Sequence, residues 1–274
     1  MLNHTTKNWI IATALLAATL GSVHANERVF TYIYEPEVLP KGAVEFEQWL
    51  TLRSGRAAAA GKGNFNRWDI REELEYGVTD RYTAALYLNF RADSFTDLGT
   101  GHDQSVIKFR GVALENRYQL LNPATAAVGL TLYVEPRLSH EEASLEEKII
   151  IGQRMGDWKW ALNLSHETEW NLHHQETEGE FEATFGLSRT LGKRWSLGVE
   201  ARLLAVNAEY QQWENVTFSL GPTLQYRQER WWAALTVLPQ VWGHNCDGNP
   251  DGKRYLDLAD HERVAIRLLV GFGF

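Results

Sequence analysis

The groups with the most chemical potential in this 274-residue chain are carboxylates and guanidiniums set two residues apart. Glu45 with Glu47, Glu73 with Glu75, Glu167 with Glu169, and Glu115 with Arg117 all follow that spacing. Residues at i and i+2 share one face of a β-strand, so such a pair could divide the work of acid and base. The spacing recurs too often to mark one catalytic pair, and charged lining of a wall accounts for all of it at once. Ser165-His166 offers nucleophile and base types. Adjacent strand residues point to opposite faces, however, and no serine stands in a G-x-S-x-G turn. His140, His173 and His174 fall in expected loops. No catalytic residue is assigned. Asp247-Gly248-Asn249-Pro250-Asp251-Gly252 matches the start of a calcium loop. Position twelve is Leu258 where a bidentate Glu belongs, and Pro250 stiffens the turn, so a turn-rich loop fits better. Neither a metal nor another cofactor is expected. One cysteine, Cys246, excludes an intramolecular disulfide framework.

The elements that would position these charges are strands. In the last stretch, Val264, Ile266, Leu268, Val270, Phe272 and Phe274 alternate with Ala265, Arg267, Leu269, Gly271 and Gly273. That period of two gives one greasy face and one mixed face. The pattern recurs along the chain: Val44, Phe46, Leu50 and Leu52 oppose Glu45, Glu47, Trp49 and Thr51, and Tyr82, Ala84, Leu86 and Leu88 oppose Thr83, Ala85 and Tyr87. About twelve strands result, an even number, with longer connections after odd strands and shorter ones after even strands. This asymmetry belongs to a transmembrane antiparallel up-and-down β-barrel, all-β, with both termini periplasmic. Lys108 and Arg110 disturb the alternation of the fourth strand, which a bulge would reset. Ile149, Ile150 and Ile151 leave the faces of the sixth unassigned. Glu72 points toward lipid, and Pro222 interrupts the tenth strand although a closed barrel has no edge.

The amino terminus reads as a secretory signal, residues 1–25. Lys7 supplies the positive region, the apolar core is too short to span a membrane as a helix, and Val23-His24-Ala25 directs cleavage after Ala25. Residues 26–42, with Pro36 and Pro40, are expected as an irregular periplasmic segment, and 43–274 as the barrel. A net charge of −8 argues against a nucleic-acid partner.

On these strands the lumen-facing carboxylates are Glu45, Glu47, Asp69, Glu73, Glu75, Glu115, Glu135, Glu167, Glu169 and Glu200. The cations are Arg67, Arg71, Arg91, Arg117, Arg202, Arg227, Arg263 and Arg267, joined by the neutral Gln240. Tyr76, Tyr82, Tyr118, Trp158, Trp160, Trp195, Tyr226, Trp231 and Trp232 flank the short turns, while Trp68 and Trp242 lie toward the long loops. They are candidate interface girdles.

The stretches Leu39–Trp49 (LPKGAVEFEQW), Arg71–Arg81 (REELEYGVTDR), Leu121–Ala124 (LNPA), Leu220–Arg227 (LGPTLQYR), Arg230–Gln240 (RWWAALTVLPQ) and the terminal VGFGF resemble an uncharacterised proteobacterial outer-membrane barrel family. It is similar in style to the MetA-pathway-of-phenol-degradation outer-membrane group. The resemblance implies a bacterial outer-membrane location, with contacts to outer-membrane lipids, lipopolysaccharide and the barrel assembly machinery, and no established chemistry. The leading functional expectation is a passive channel for small polar or amphipathic solutes through an Arg/Glu-lined lumen. A closed structural, adhesive or receptor barrel acting through outer loops is the alternative, and a lipid-modifying enzyme comes third. Phe274 is then the terminal aromatic read during assembly. Deleting it is expected to reduce the folded, membrane-inserted fraction, assayed by heat-modifiable mobility of outer-membrane fractions; normal insertion would refute the assignment.

Overall fold

The computed structural model describes residues 28–56, 62–174, 176–246 and 255–274. Twelve strands run in order: β1 Val44–Ser54, β2 Lys62–Thr79, β3 Tyr82–Asp97, β4 Asp103–Leu121, β5 Gly129–Leu138, β6 Glu142–Met155, β7 Trp158–Asn171, β8 Thr177–Leu191, β9 Trp195–Ala208, β10 Gln212–Arg227, β11 Trp231–Asn245 and β12 Val264–Gly273. Each pairs antiparallel with its sequence neighbours, and β1 pairs with β12 to close the barrel. The closing register sets Phe46 opposite Phe272 and Leu50 opposite Leu268, and the Phe274 amide donates to Val44 O at 2.9 Å. No helix of the described residues is long and apolar enough to cross a membrane. The strands cross instead: Leu86, Leu114, Leu132, Leu164, Phe185, Leu197, Leu224 and Phe272 stand exposed around the outer wall. A continuous apolar exterior on a closed sheet is stable only against lipid.

The irregular places have local causes. β3 and β4 lose register between Leu88 and Phe90, opposite Phe109 and Val112, where Gly111 adopts φ +95°. This bulge lets Phe109 face outward while Arg110 turns into the lumen. In β6, Lys148 and Ile150 are buried inside and Ile149 is exposed outside, which resolves the isoleucine run. Pro222 sits where the β10–β11 ladder is interrupted between Ser219–Gln240 and Thr223–Thr236, near Pro239 of the partner strand. A missing N–H costs little there. β3 and β4 continue as a long hairpin that turns at residues 98–102.

Two expectations are corrected. Trp232 is not a girdle residue. It points inward, is fully buried, and donates from Nε1 to Glu45 Oε1 at 2.6 Å. The other aromatics expected at the girdles lie on the outer surface, Tyr76, Tyr118, Trp158, Trp195, Trp68 and Trp242 exposed, and Tyr82, Trp160, Tyr226 and Trp231 half-buried. The segment from residue 28 to 39, expected outside the barrel, lies inside it. Val29, Phe30, Thr31, Ile33, Tyr34 and Leu39 are buried. The reason is apolar content: a Val-Phe-Thr-Tyr-Ile-Tyr run has no stable place in water when an interior needs filling. The signal region 1–25 and the calcium-like motif Asp247–Gly252 lie outside the described residues.

At Gly111 an added Cβ would stand 2.1 Å from Leu138 O, on top of the positive φ. Gly111→Val is expected to cost about 1–3 kcal/mol or more in strain and overlap. Gly101, with φ +71° in an open turn, should accept Asn with little loss. Urea unfolding midpoints in lipid would show the contrast, and equal midpoints would contradict it.

Candidate functional site: a half-filled, charged lumen

The lumen divides into two halves. Toward the short turns, the N-terminal segment enters between the Thr79–Arg81 turn and the wall. Its anchors there are the Gly42 amide to Gly77 O at 2.7 Å and the Leu39 amide to Thr83 Oγ1 at 2.9 Å. Pro36 O accepts from Gln119 Nε2 at 2.8 Å and Thr131 Oγ1 at 2.7 Å. Tyr34 exchanges two hydrogen bonds with the Asn163 side chain, at 2.7 and 2.9 Å. At the tip, the Thr31 and Tyr32 amides both donate to the Glu200 carboxylate at 2.8 Å, and Thr236 Oγ1 donates to it as well. The wall makes room with small residues. A Cβ on Gly186 would press on Phe30 and Ile33, and one on Gly129 or Gly152 would press on Pro36. Rings and aliphatic side chains close the rest: Tyr34, Trp49, Tyr133, Ile150, Trp232, Ala234 and Leu269 form one buried cluster.

Beneath that cluster lies an acidic layer. The β1–β2 register sets Glu45 beside Glu75 and Glu47 beside Glu73. Arg117 bonds Glu75 and lies 2.6 Å from Glu115, and Arg28 lies 3.4 Å from Glu47 while stacking over Tyr34 and Trp49. Tyr87 donates to Glu115. Carboxylate oxygens of Glu47, Glu73 and Glu75 lie within 4.8 Å of one another, the spread of a hard-cation site. Glu47 and Glu75 are already paired with guanidiniums, which a cation would have to displace.

Toward the long loops the lumen opens into a cavity of about 240 Å³ floored by Tyr32 and Tyr34. Arg267, Arg53, Arg71 and Arg91 approach it from β12 through β3, and Glu146, Glu167, Glu180 and Glu182 face them from β6 to β8. Local ion pairs hold the walls: Arg53 and Arg91 on Asp69 at 2.7 and 3.2 Å, Arg137 on Glu167 and Glu169 at 3.2 and 2.7 Å, and Arg202 on Glu182 at 2.5 Å. The two walls therefore carry opposite excess charge across a wet space, a fixed transverse field. In the mouth, burial pushes the His261 imidazole below its ordinary range, and its Nε2 lies 2.7 Å from Asn215 Oδ1.

The residues expected in the lumen thus fall at different depths. Glu45, Glu47, Glu73, Glu75, Glu115 and Arg117 form the acidic layer, and Glu200 holds the segment's tip. Glu135 joins Arg71 at 3.6 Å. Asp69, Arg71, Arg91, Glu167, Arg202 and Arg267 line the cavity, with Arg67 and Glu169 nearer the mouth. Arg227 and Arg263 sit at the rims instead, Arg227 donating to Lys193 O at 3.0 Å and Arg263 exposed. Gln240 fastens the last loop, bonding Asp257 O at 2.9 Å. Unforeseen were the N-terminal segment, Arg110, Glu146, Lys148 and Glu180. The bulge hid Arg110 and the isoleucine run hid the β6 pair. Ser165 lines the cavity while His166 lies outside on Tyr210 and Phe181, so they make no catalytic pair.

A family of unknown function (DUF6662) matches residues 22–149 and 151–274. The chain belongs to that family. No curated protein matches the chain. Among solved structures, this DUF6662 chain is similar to an outer-membrane channel (COG4313) of Pseudomonas putida F1, with TM-score 0.61 and 15% identity over 87% of this chain and 97% of that one. It is also similar to a NanC porin, with TM-score 0.53 and 10% identity over 83% and 98%. The fold is that of outer-membrane channel barrels. With its lipid-facing wall, the DUF6662 chain is an outer-membrane protein.

Glu200 accepts three hydrogen bonds, two of them from the inserted segment. Each such bond to a carboxylate contributes about 1.5–3 kcal/mol. Glu200→Leu is expected to speed amide hydrogen exchange at Thr31 and Tyr32 at least tenfold without dispersing the barrel. Unchanged protection would show that Glu200 does not hold the segment.

Proposed function

We propose that this protein is a passive outer-membrane channel for small polar solutes whose inner half is occupied by its own N-terminal segment. The short turns and both termini face the periplasm, and the long loops face outward. Solutes enter the charged cavity by diffusion and pass when the segment yields. The observation that carries this reading is the boundary itself: a wet, charged cavity ends on Tyr32 and Tyr34, which belong to an inserted segment rather than to the wall. That segment is fixed largely by separable hydrogen bonds and packing, so displacing it leaves the strand ladder intact. Mixed wall charge favours polar solutes over strong selection for one ion sign. The filled inner half also favours a second reading, a closed barrel that binds through its outer loops.

Cross-linking separates the two. A Cβ on Gly129 would stand 2.9 Å from Pro36 Cβ, so a small outward shift brings this segment–wall pair to the Cβ separation of a disulfide, about 3.5–4.5 Å. In a Cys246→Ser background, Pro36→Cys with Gly129→Cys is expected to abolish conductance in planar bilayers when oxidised, and reduction should restore it. Equal conductance in both states would exclude passage past the segment. Silence of the parent protein as well would support the closed barrel.

A further inference from the structure

The cavity wall carries eight cations, Lys148 and seven arginines, and five carboxylates. Their pairing is almost complete. Arg53, Arg71, Arg91, Arg110, Arg137, Lys148 and Arg202 each have a carboxylate within 4.0 Å. Asp69, Glu146, Glu167 and Glu182 are the cavity-lining partners. Among the described residues, two groups of the wall lack an ion-pair partner: Arg267 on β12 and Glu180 on β8. They stand four strands apart in a ring of twelve, so they face the same cavity from different walls.

Arg267 is held ready. Nε donates to Thr51 Oγ1 at 2.8 Å, Nη1 donates to Thr31 O at 3.2 Å, and the guanidinium carbon lies 3.8 Å from the Tyr32 ring centre. Stacking and two hydrogen bonds fix the plane and leave Nη2 to donate to a ligand's carboxylate. Glu180 is registered beside Glu167 of β7 and shares the β8 inner face with Glu182. Both neighbours already have cations, so Glu180 is a surplus negative charge among like charges. A cation arriving from the solute relieves it.

We propose that the cavity is a binding site for a small zwitterion, with the carboxylate on Arg267 and the ammonium on Glu180. This rests on the channel reading only in taking the cavity as reachable by solute. A molecule carrying a single charge satisfies one wall and leaves the other uncompensated, so the site ranks dipolar solutes above both singly charged kinds. Separation of the two groups across the lumen further selects a zwitterion with charges several bonds apart over glycine.

Calorimetry on the intact, detergent-solubilised barrel tests this with 6-aminohexanoate, glycine, hexanoate and hexylammonium. The expected result is that 6-aminohexanoate binds at least tenfold more tightly than the other three. Glu180→Gln should reduce it to the level of hexanoate, and Arg267→Gln to that of hexylammonium, with heat-modifiable mobility reporting that each variant folds. Should Arg267→Gln fail to fold, Glu180→Gln alone decides. Equal binding of hexanoate and 6-aminohexanoate, insensitive to Glu180→Gln, would leave an anion site and overturn the proposal, as would no binding. Potassium chloride conductance, measured separately, keeps the readings apart. Conductance without zwitterion binding defeats the site alone, and binding without conductance defeats the channel alone.

Discussion

A closed ring of twelve strands has more interior than its own side chains fill. Eight-stranded barrels close on their side chains and sixteen-stranded ones leave a channel, so twelve leaves a choice. This chain resolves that choice with a segment from outside the sheet. Phe30, Ile33 and Pro36 enter a space that Gly129, Gly152 and Gly186 leave clear, and Glu200 receives the two amides at the tip that would otherwise be buried without acceptors. Most of the lumen's other properties depend on that insertion. It divides a packed half, whose charges are buried and paired, from a wet, charged half, and it supplies the floor of the cavity.

The division also explains how charge is managed. In the packed half, where ionised groups are costly without partners, Arg28 arrives with the segment and sets its guanidinium between Glu47 and the faces of Tyr34 and Trp49. The segment therefore carries a counter-charge as well as volume. In the open half, water can screen the wall, and short cross-strand pairs such as Arg53–Asp69 and Arg202–Glu182 suffice to order long side chains. The excess charge on opposite sides survives because each pair is local to its own wall.

How much of this was legible depends on which period a residue obeys. The strands and their number follow from alternation, since one face must meet lipid at every second residue from Val44–Leu52 to Val264–Phe272. Glu72 is registered beside Gln48 on the outer face, so one polar neighbour accompanies the misfit seen in the sequence. Trp232 was misplaced because Trp231-Trp232 straddles both faces, and only the register shows which ring is inside. Arg110 needed the Gly111 bulge, a backbone event with no side-chain signature beyond the glycine. The inserted segment has no period at all. Its trace was compositional, a run of aromatic and β-branched residues too apolar for a solvated tail, with glycines and alanines on the facing strands waiting for it. Pairings such as Glu200 with Thr31 join residues far apart in the chain and have no local signal.

The same geometry links occupancy of the cavity to seating of the segment. Arg267 donates to the Thr31 carbonyl and stacks on Tyr32, so one guanidinium serves both the inserted tip and any carboxylate in the cavity. An anion that draws Arg267 away from Thr31 removes one of the tip's bonds, while the Glu200 contacts remain. An anion that uses only Nη2 leaves the tip in place and adds to the stack. Which of these holds sets the sign of the coupling, because a ligand shifts a conformational equilibrium only by the difference in its affinity for the two states. A channel in which the solute's own carboxylate loosens the segment would open to its solute; one in which it tightens the stack would store it.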